Sequence, residues 1–194
     1  AAARGGARPR RARDAMSQFS NPAGRAPEAA TAYVRGVTGL VGDRDPIEVM
    51  TELAAWLEAR TLRLTDERRR RPEAPGKWSV HDVVQHLTDA ELAFLWRTRL
   101  ITAEVGEPVL QGYDQDRWAA KLRYQDAPFE EVLEELIVMR RRNLRLVRTL
   151  STEELTRAGR HVERGLESLA LMLPLMAGHD LVHRQQIDRI IGAV

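Results

Sequence analysis

Apolar residues recur every three or four positions along most of the chain after residue 45, which is the spacing of one helix face. Four long segments carry this pattern, at residues 46–71, 80–103, 128–147 and 167–191. The alternation typical of a half-buried strand is not convincing in any segment. The pattern therefore predicts an all-α protein in which four long amphipathic helices form a bundle.

The signals at the helix ends refine this prediction. Ser79 and Asp82 form a capping box, which satisfies unpaired N–H groups at the start of the second helix. Residues 104–126 form a connection long enough for a crossover, and residues 159–165 read as a polar loop. Pro174 predicts a kink or a later start of the last helix, because proline inside a helix costs roughly 3 kcal/mol.

The N-terminal part of the chain differs in composition from the rest. Residues 17–30 are rich in Pro, Gly, Ser and Ala, so residues 1–29 are predicted to be a flexible arm before a domain at residues 30–194. Residues 1–15 contain five arginines and one aspartate but no apolar stretch, which excludes a secretory signal. We expect Met16 to be the natural start and residues 1–15 not to belong to the mature protein.

Composition narrows the possible functions. The chain of 194 residues has 43% hydrophobic residues, enough for a core, and no cysteine, so a bound metal must be held by His, Asp or Glu. The arginine runs lack the interleaved aromatic residues used for single-strand binding, and no nucleic-acid partner is expected. The most apolar run, at residues 169–178, is far shorter than the ~20 residues of a membrane span. We therefore expect a cytoplasmic protein with no membrane partner.

Three histidines form a candidate metal site. His179 and His183 are four residues apart in the last predicted helix, where they continue its apolar stripe and should point into the bundle. Buried imidazoles require hydrogen bonds or a metal ion, and neutral imidazole is a good ligand for Zn, Ni, Cu or Fe. His86, on the second helix, is the natural third ligand. Three histidines with one open coordination position are typical of a catalytic metal centre.

Other polar residues near these histidines have two interpretations. Gln186 is placed to support the histidine pair, and Asp82 can orient His86 as well as cap its helix. His81 is expected to be solvated and His161 to lie on the surface, in a loop rich in charge. The alternative to a metal site is a group of core histidines that bond to each other and to the backbone.

Two segments resemble motifs of the DinB/YfiT-like metalloenzyme family. They are residues 75–91 (PGKWSVHDVVQHLTDAE) and residues 178–187 (GHDLVHRQQI), and the resemblance spans about residues 30–192. It implies a four-helix bundle that holds one divalent metal ion, such as Zn or Ni, through the three histidines singled out above. It also implies a homodimer.

The resemblance leaves three functions open. Family members with assigned activity are thiol S-transferases or isomerases, which implies a small-molecule substrate and a low-molecular-weight thiol deprotonated on the metal, with Arg97, Arg117 or Arg184 binding its carboxylates. The second function is metal-dependent hydrolysis, with Asp89 or Asp180 as general base. The third is a non-enzymatic, metal-binding dimeric bundle. Because one fold hosts many functions, the site must decide among them.

Overall fold

The computed structural model describes residues 27–193; the predictions for residues 1–15 and Met16 lie outside that range. The described part contains eight α-helices and three short strands. They are α1 (Pro27–Gly39), α2 (Pro46–Thr61), α3 (Asp66–Arg70), α4 (Val80–Ala103), β1 (Val109–Leu110), α5 (Gln115–Lys121), α6 (Phe129–Val147), α7 (Thr152–Thr156), β2 (Ala158–His161), β3 (Gly165–Ser168) and α8 (Leu169–Ala193).

The four long helices α2, α4, α6 and α8 form the predicted bundle. Helix α4 packs against α6 and α8, and α2 packs against the same two helices, while α1 covers α8 from outside. Helices α4 and α6 run parallel, since their N-terminal halves share one core cluster and their C-terminal halves share the other. Parallel neighbours cannot be joined by a short turn, so the chain between them travels the length of the bundle. Both the bundle and its long crossover were therefore predicted correctly.

The apolar core is divided into two clusters along the bundle axis. Both clusters draw side chains from all four long helices. The first includes Met50, Phe94, Leu144 and Met176. The second includes Leu53, Leu87, Leu136 and Ile187. Each helix passes from one cluster to the other, and polar side chains occupy the level between them.

The charged layer, formed by Glu91, Arg140 and Asp180, lies at this level. All three side chains are at most 4% exposed. Arg140 on α6 donates to Glu91 on α4 at 2.6 Å and binds both oxygens of Asp180 on α8 at 2.6 and 3.0 Å. It also donates to the backbone carbonyl of Met50 on α2 at 3.0 Å. One guanidinium thus hydrogen-bonds to the other three helices of the bundle.

The prediction of a polar loop at residues 159–165 was wrong, because strands β2 and β3 form an antiparallel hairpin there. Strand β1, from the crossover, pairs in parallel with β2. Gly159 on β2 leaves room for the side chain of Leu110 on the neighbouring strand β1, since a Cβ at that position would lie 2.8 Å from it. The strands are two to four residues long, too short to show a clear alternation of polar and apolar residues.

The helix boundaries differ from the predictions at three places. Helix α1 begins at Pro27, inside the segment predicted to be an arm. The first long segment divides into α2 and α3, because Thr65 caps a new helix there. Helix α8 begins at Leu169 and includes Pro174 without ending. None of the helices within residues 27–193 is both long enough and apolar enough to span a membrane.

Gly178 marks a close approach of α1 and α8. A Cβ at this position of α8 would lie 2.0 Å from the carbonyl oxygen of Val37 on α1, so the backbone would have to move. We expect Gly178→Ala to reduce the free energy of unfolding by about 1–3 kcal/mol, the usual range for overpacking. Urea unfolding followed by circular dichroism measures this change. Gly192→Ala in the same helix is the control, because its Cβ would meet no atom within 4 Å; equal stability of the two variants would contradict the expected clash.

Candidate metal centre

The structure brings the three predicted histidines together. His86 comes from α4, and His179 and His183 come from adjacent turns of α8, which packs against α4. The Nε2 atom of His179 lies 3.1 Å from Nε2 of His86 and 3.2 Å from Nε2 of His183. One potential ligand atom from each residue lies within 4.8 Å of the other two. Three donor nitrogens therefore face a common point inside the bundle.

These distances fit a shared divalent cation. Two imidazole nitrogens bound about 2.1 Å from a tetrahedral metal are about 3.4 Å apart, close to the two measured separations. With His183 Nδ1 as the donor to the Oε1 atom of Gln186, 2.7 Å away, the Nε2 atom of His183 keeps its lone pair. The donor set is therefore one that zinc and similar borderline metals accept.

Burial keeps these imidazoles neutral. His86 is 1% and His183 6% exposed. Burial, together with the nearby ring of His183, lowers the pKa of His86 well below its usual value. Burial is also the main reason why the pKa of His179 is lowered and that of His183 falls to about 4. Since only the neutral imidazole ligates, the site requires no deprotonation at neutral pH.

The residues around the histidines are only partly those predicted. Gln186 lies at hydrogen-bond distance from His183, as its spacing indicated, and so holds that ring in one orientation. Asp82 does not orient His86; it completes the capping box with Ser79 at the start of α4. The ring of Trp78 instead packs against His86, with 5.0 Å between the ring centroids. Among the described residues, Nδ1 of His86 and of His179 have no hydrogen-bond partner.

A cavity of about 90 Å³ reaches the site and is lined by His86 and His179. The walls of the cavity that α4 and α8 contribute are mostly apolar. They include Ala90, Ala93, Phe94, Met172 and Met176. Polar side chains from α4 and the β2–β3 hairpin also line the cavity. They are Arg97, His161, Glu163, Arg164 and Glu167. The tyrosines Tyr33 and Tyr113 also line the cavity.

Neither carboxylate proposed as a general base faces this cavity. Asp180 is fully buried and binds Arg140 with both oxygens. Asp89 accepts a hydrogen bond from Tyr124, and burial is the main reason why its pKa is raised. The carboxylates that do line the cavity are Glu163 and Glu167, which lie on the hairpin that the sequence analysis did not detect.

The three arginines proposed as anion ligands occupy different places. Arg97 lines the cavity. Arg184 lies over the ring of Trp56, 5.0 Å from its centroid, and contacts Glu52 at 3.2 Å. Arg117 is exposed on α5. Only Arg97 of the three lines the cavity that also contains the histidines.

Two other histidines are not where the sequence placed them. His81 was expected to be solvated but is fully buried, edge-on to the ring of Phe129 at 5.6 Å between centroids. His161 was expected on the surface but is 2% exposed and lines the cavity. It alternates with the exposed Arg160 along β2, and this two-residue period is the only sequence signal for its inward position.

Comparison with known proteins gives relatives whose names refer to metal-dependent hydrolysis. The sequence model of the DinB superfamily matches residues 50–187, a span that contains the three histidines. A protein of Oceanobacillus iheyensis named "Putative metal-dependent hydrolase" is 28% identical over 144 residues, 74% of this chain and 83% of that protein. A protein of Bacillus cereus strain B4264 with the same description is 29% identical over 119 residues, 61% of this chain and 68% of that protein.

A solved structure shares the same architecture. YfiT from Bacillus subtilis is described as "a probable metal-dependent hydrolase with an unusual four-helix bundle topology". It superposes with a TM-score of 0.70 at 23% sequence identity, over 93% of this chain and 90% of YfiT. This likeness supports the four-helix bundle fold.

Proposed function

Because the chain belongs to the DinB superfamily, we propose that it is a metal-dependent hydrolase of small molecules, with a divalent cation held by His86, His179 and His183. The observation that carries this proposal is the convergence of three neutral imidazoles, of which His86 and His183 are buried and His179 is half-buried, beside a cavity that His86 and His179 line. The names of the relatives support the same reaction class. A cation there would supply Lewis acidity, which polarises a carbonyl group and lowers the pKa of water towards ~7.

Protein side chains have separate roles in this proposal. The three histidines hold the cation, and Gln186 fixes the orientation of His183 through its 2.7 Å hydrogen bond. Glu167 is bound by Arg164 through both carboxylate oxygens. Glu163 lines the cavity and makes no ion pair with any residue in the described part of the chain.

Thiol transfer is the second function that the same centre supports. A thiolate, like water, can occupy an open coordination position, and the chain has no cysteine of its own. An external thiol would therefore have to enter the cavity. We also retain the expectation of a cytoplasmic homodimer, which solution mass and cell fractionation would test.

The test measures metal content and turnover in the same samples. Protein purified without a histidine tag is treated with chelator, reconstituted with Zn²⁺ or Ni²⁺, and assayed with 4-nitrophenyl esters and anilides in the absence of thiol. We expect one metal ion per chain and hydrolysis that requires it. His183→Ala should lower both by at least about tenfold.

His81→Gln is the matched control, since His81 is a buried histidine of α4 that does not line the cavity. It should retain metal and turnover. Hydrolysis of equal rate in wild type and His183→Ala, or wild-type protein that retains no metal, would contradict the proposal. Turnover of 1-chloro-2,4-dinitrobenzene that requires added cysteine, without ester hydrolysis, would instead favour thiol transfer.

A further inference from the structure

Arg97 is a cation in the cavity without a matching carboxylate. It follows His86 by eleven residues on α4, close to three full turns, so both side chains lie on the same face of the helix. Its guanidinium donates to the backbone carbonyl of Gln111 at 2.5 Å, which fixes its position. No carboxylate in the described residues lies within ion-pair distance of it. Burial is the main reason why the pKa of Arg97 is lowered.

No carboxylate that lines the cavity contacts the guanidinium of Arg97. Arg164 and Glu167 form a closed pair with two hydrogen bonds. The carboxylate of Glu163 lies next to Gly112, where a Cβ would be 3.2 Å from it. Glu163 acts on Arg97 only electrostatically, from beyond ion-pair distance. The guanidinium therefore keeps donor groups that the protein does not use.

His161 offers a second donor in the same cavity. Its Nδ1 atom accepts hydrogen bonds from the backbone N–H groups of Glu163 and Arg164, at 3.2 and 3.3 Å. Burial, with the guanidiniums of Arg164 and Arg97, lowers the pKa of His161 to about 3, so the ring is neutral. A neutral ring that accepts at Nδ1 carries its proton on Nε2. That Nε2 is buried and has no partner among the described residues.

We propose that Arg97 and His161 form a binding site for a carboxylate group of the substrate. A carboxylate accepts from a guanidinium and from a neutral N–H donor, and such charge-assisted bonds are about twice as strong as neutral ones. The ring of His161 supplies a donor without adding a second charge. Arg160, the neighbour of His161 in β2, is paired with Glu107 on the exposed side of the sheet and takes no part.

The distance between this site and the histidine site sets the length of the substrate. Eleven residues of helix span about 16 Å, and arginine side chains on a helix lean back towards its N-terminus. The walls between the two sites are apolar, with Ala90, Ala93 and Phe94 on one side and Met172 and Met176 on the other. The expected substrate is therefore an elongated molecule with a carboxylate at one end and a hydrolysable bond several carbon atoms away.

This inference rests in part on the proposed hydrolysis, so its test has one arm that is independent of turnover. In the first arm, metal-loaded full-length protein is assayed with the mono-4-nitrophenyl ester of adipic acid and with 4-nitrophenyl hexanoate. We expect the anionic ester to have at least a tenfold higher kcat/KM. Arg97→Gln should reduce this ratio at least tenfold, and Arg97→Lys should restore part of it. Arg160→Gln should leave the ratio as in wild type.

In the second arm, chelator-treated protein is titrated with hexanoate and with hexan-1-ol by calorimetry, which removes any contribution from the metal. We expect hexanoate to bind more tightly, and Arg97→Gln and His161→Phe each to weaken it at least tenfold. Circular dichroism verifies that both variants are folded. Hexanoate binding that Arg97→Gln does not weaken would overturn the inference. Absence of ester hydrolysis with normal hexanoate binding would overturn the proposed function but support the carboxylate site.

Discussion

Replacing Arg140 by methionine is expected to destabilise the protein by about 3–5 kcal/mol, the range for breaking a buried ion pair from one side. The side chains of Glu91 and Asp180 are fully buried, and both rely on Arg140 as their ion-pair partner. Methionine fills much of the volume but leaves the two carboxylates without a cation, so each must be desolvated unpaired or take up a proton. Urea unfolding followed by circular dichroism measures the free energy of unfolding, and thermal unfolding should show a fall of roughly 10 °C in Tm.

Two further variants make this prediction specific. Arg142→Met changes an exposed arginine of the same helix and should alter stability by no more than about 0.5 kcal/mol. The triple variant Arg140→Met, Glu91→Leu and Asp180→Leu removes the whole charged layer and should recover much of the lost stability, because no unpaired charge remains. If Arg140→Met melted at the same temperature as Arg142→Met, the three residues would not form the ionic network described above.

The second large effect concerns metal and thermal stability. Zn²⁺ at about a thousand times its Kd should raise the free energy of unfolding by about 4 kcal/mol, because the unfolded chain does not hold the three histidines together. Chelator should reverse the rise. His179→Ala should abolish most of it, since Nε2 of His179 lies within 3.2 Å of Nε2 in both other rings. Differential scanning calorimetry with and without Zn²⁺ measures the change.

The variants are compared by the rise in the free energy of unfolding that Zn²⁺ causes, and not by their stability without Zn²⁺. A variant that is itself less stable therefore still gives a clear result. His81→Gln should show the full shift, because His81 lies outside the cavity. An equal zinc shift in wild type and His179→Ala would mean that zinc binds elsewhere on the chain.

The sequence was most informative about features that repeat along one helix. His179 and His183 share a face because they are four residues apart, and the apolar residues beside them indicated that this face points inward. His86 followed from the same argument on α4. The capping box of Ser79 and Asp82 fixed the start of α4 correctly. These predictions depend on local geometry, which a single sequence contains.

Features that depend on pairing between distant segments were missed. Strand β2 is four residues long and is held in place by β1, about 50 residues earlier in the chain. Without knowledge of that pairing, His161 reads as one polar residue among charged neighbours. Arg97 could be named as a candidate but not chosen, since only the three-dimensional structure separates it from Arg117 and Arg184. The position of Arg97 and His161 in the cavity therefore could not be derived from the sequence.

The charged layer has a consequence beyond stability, because it fixes the axial register of each helix relative to its neighbours. A slip of one turn would move a helix by about 5.4 Å, and the single guanidinium would then lose the carboxylates of Glu91 and Asp180. Hydrophobic side chains tolerate such a shift more readily than a bidentate ion pair does. Asp180 is adjacent to His179 in the chain, and Glu91 lies five residues after His86. The charged layer thereby fixes the relative axial position of α4 and α8, the two helices that bring His86, His179 and His183 together.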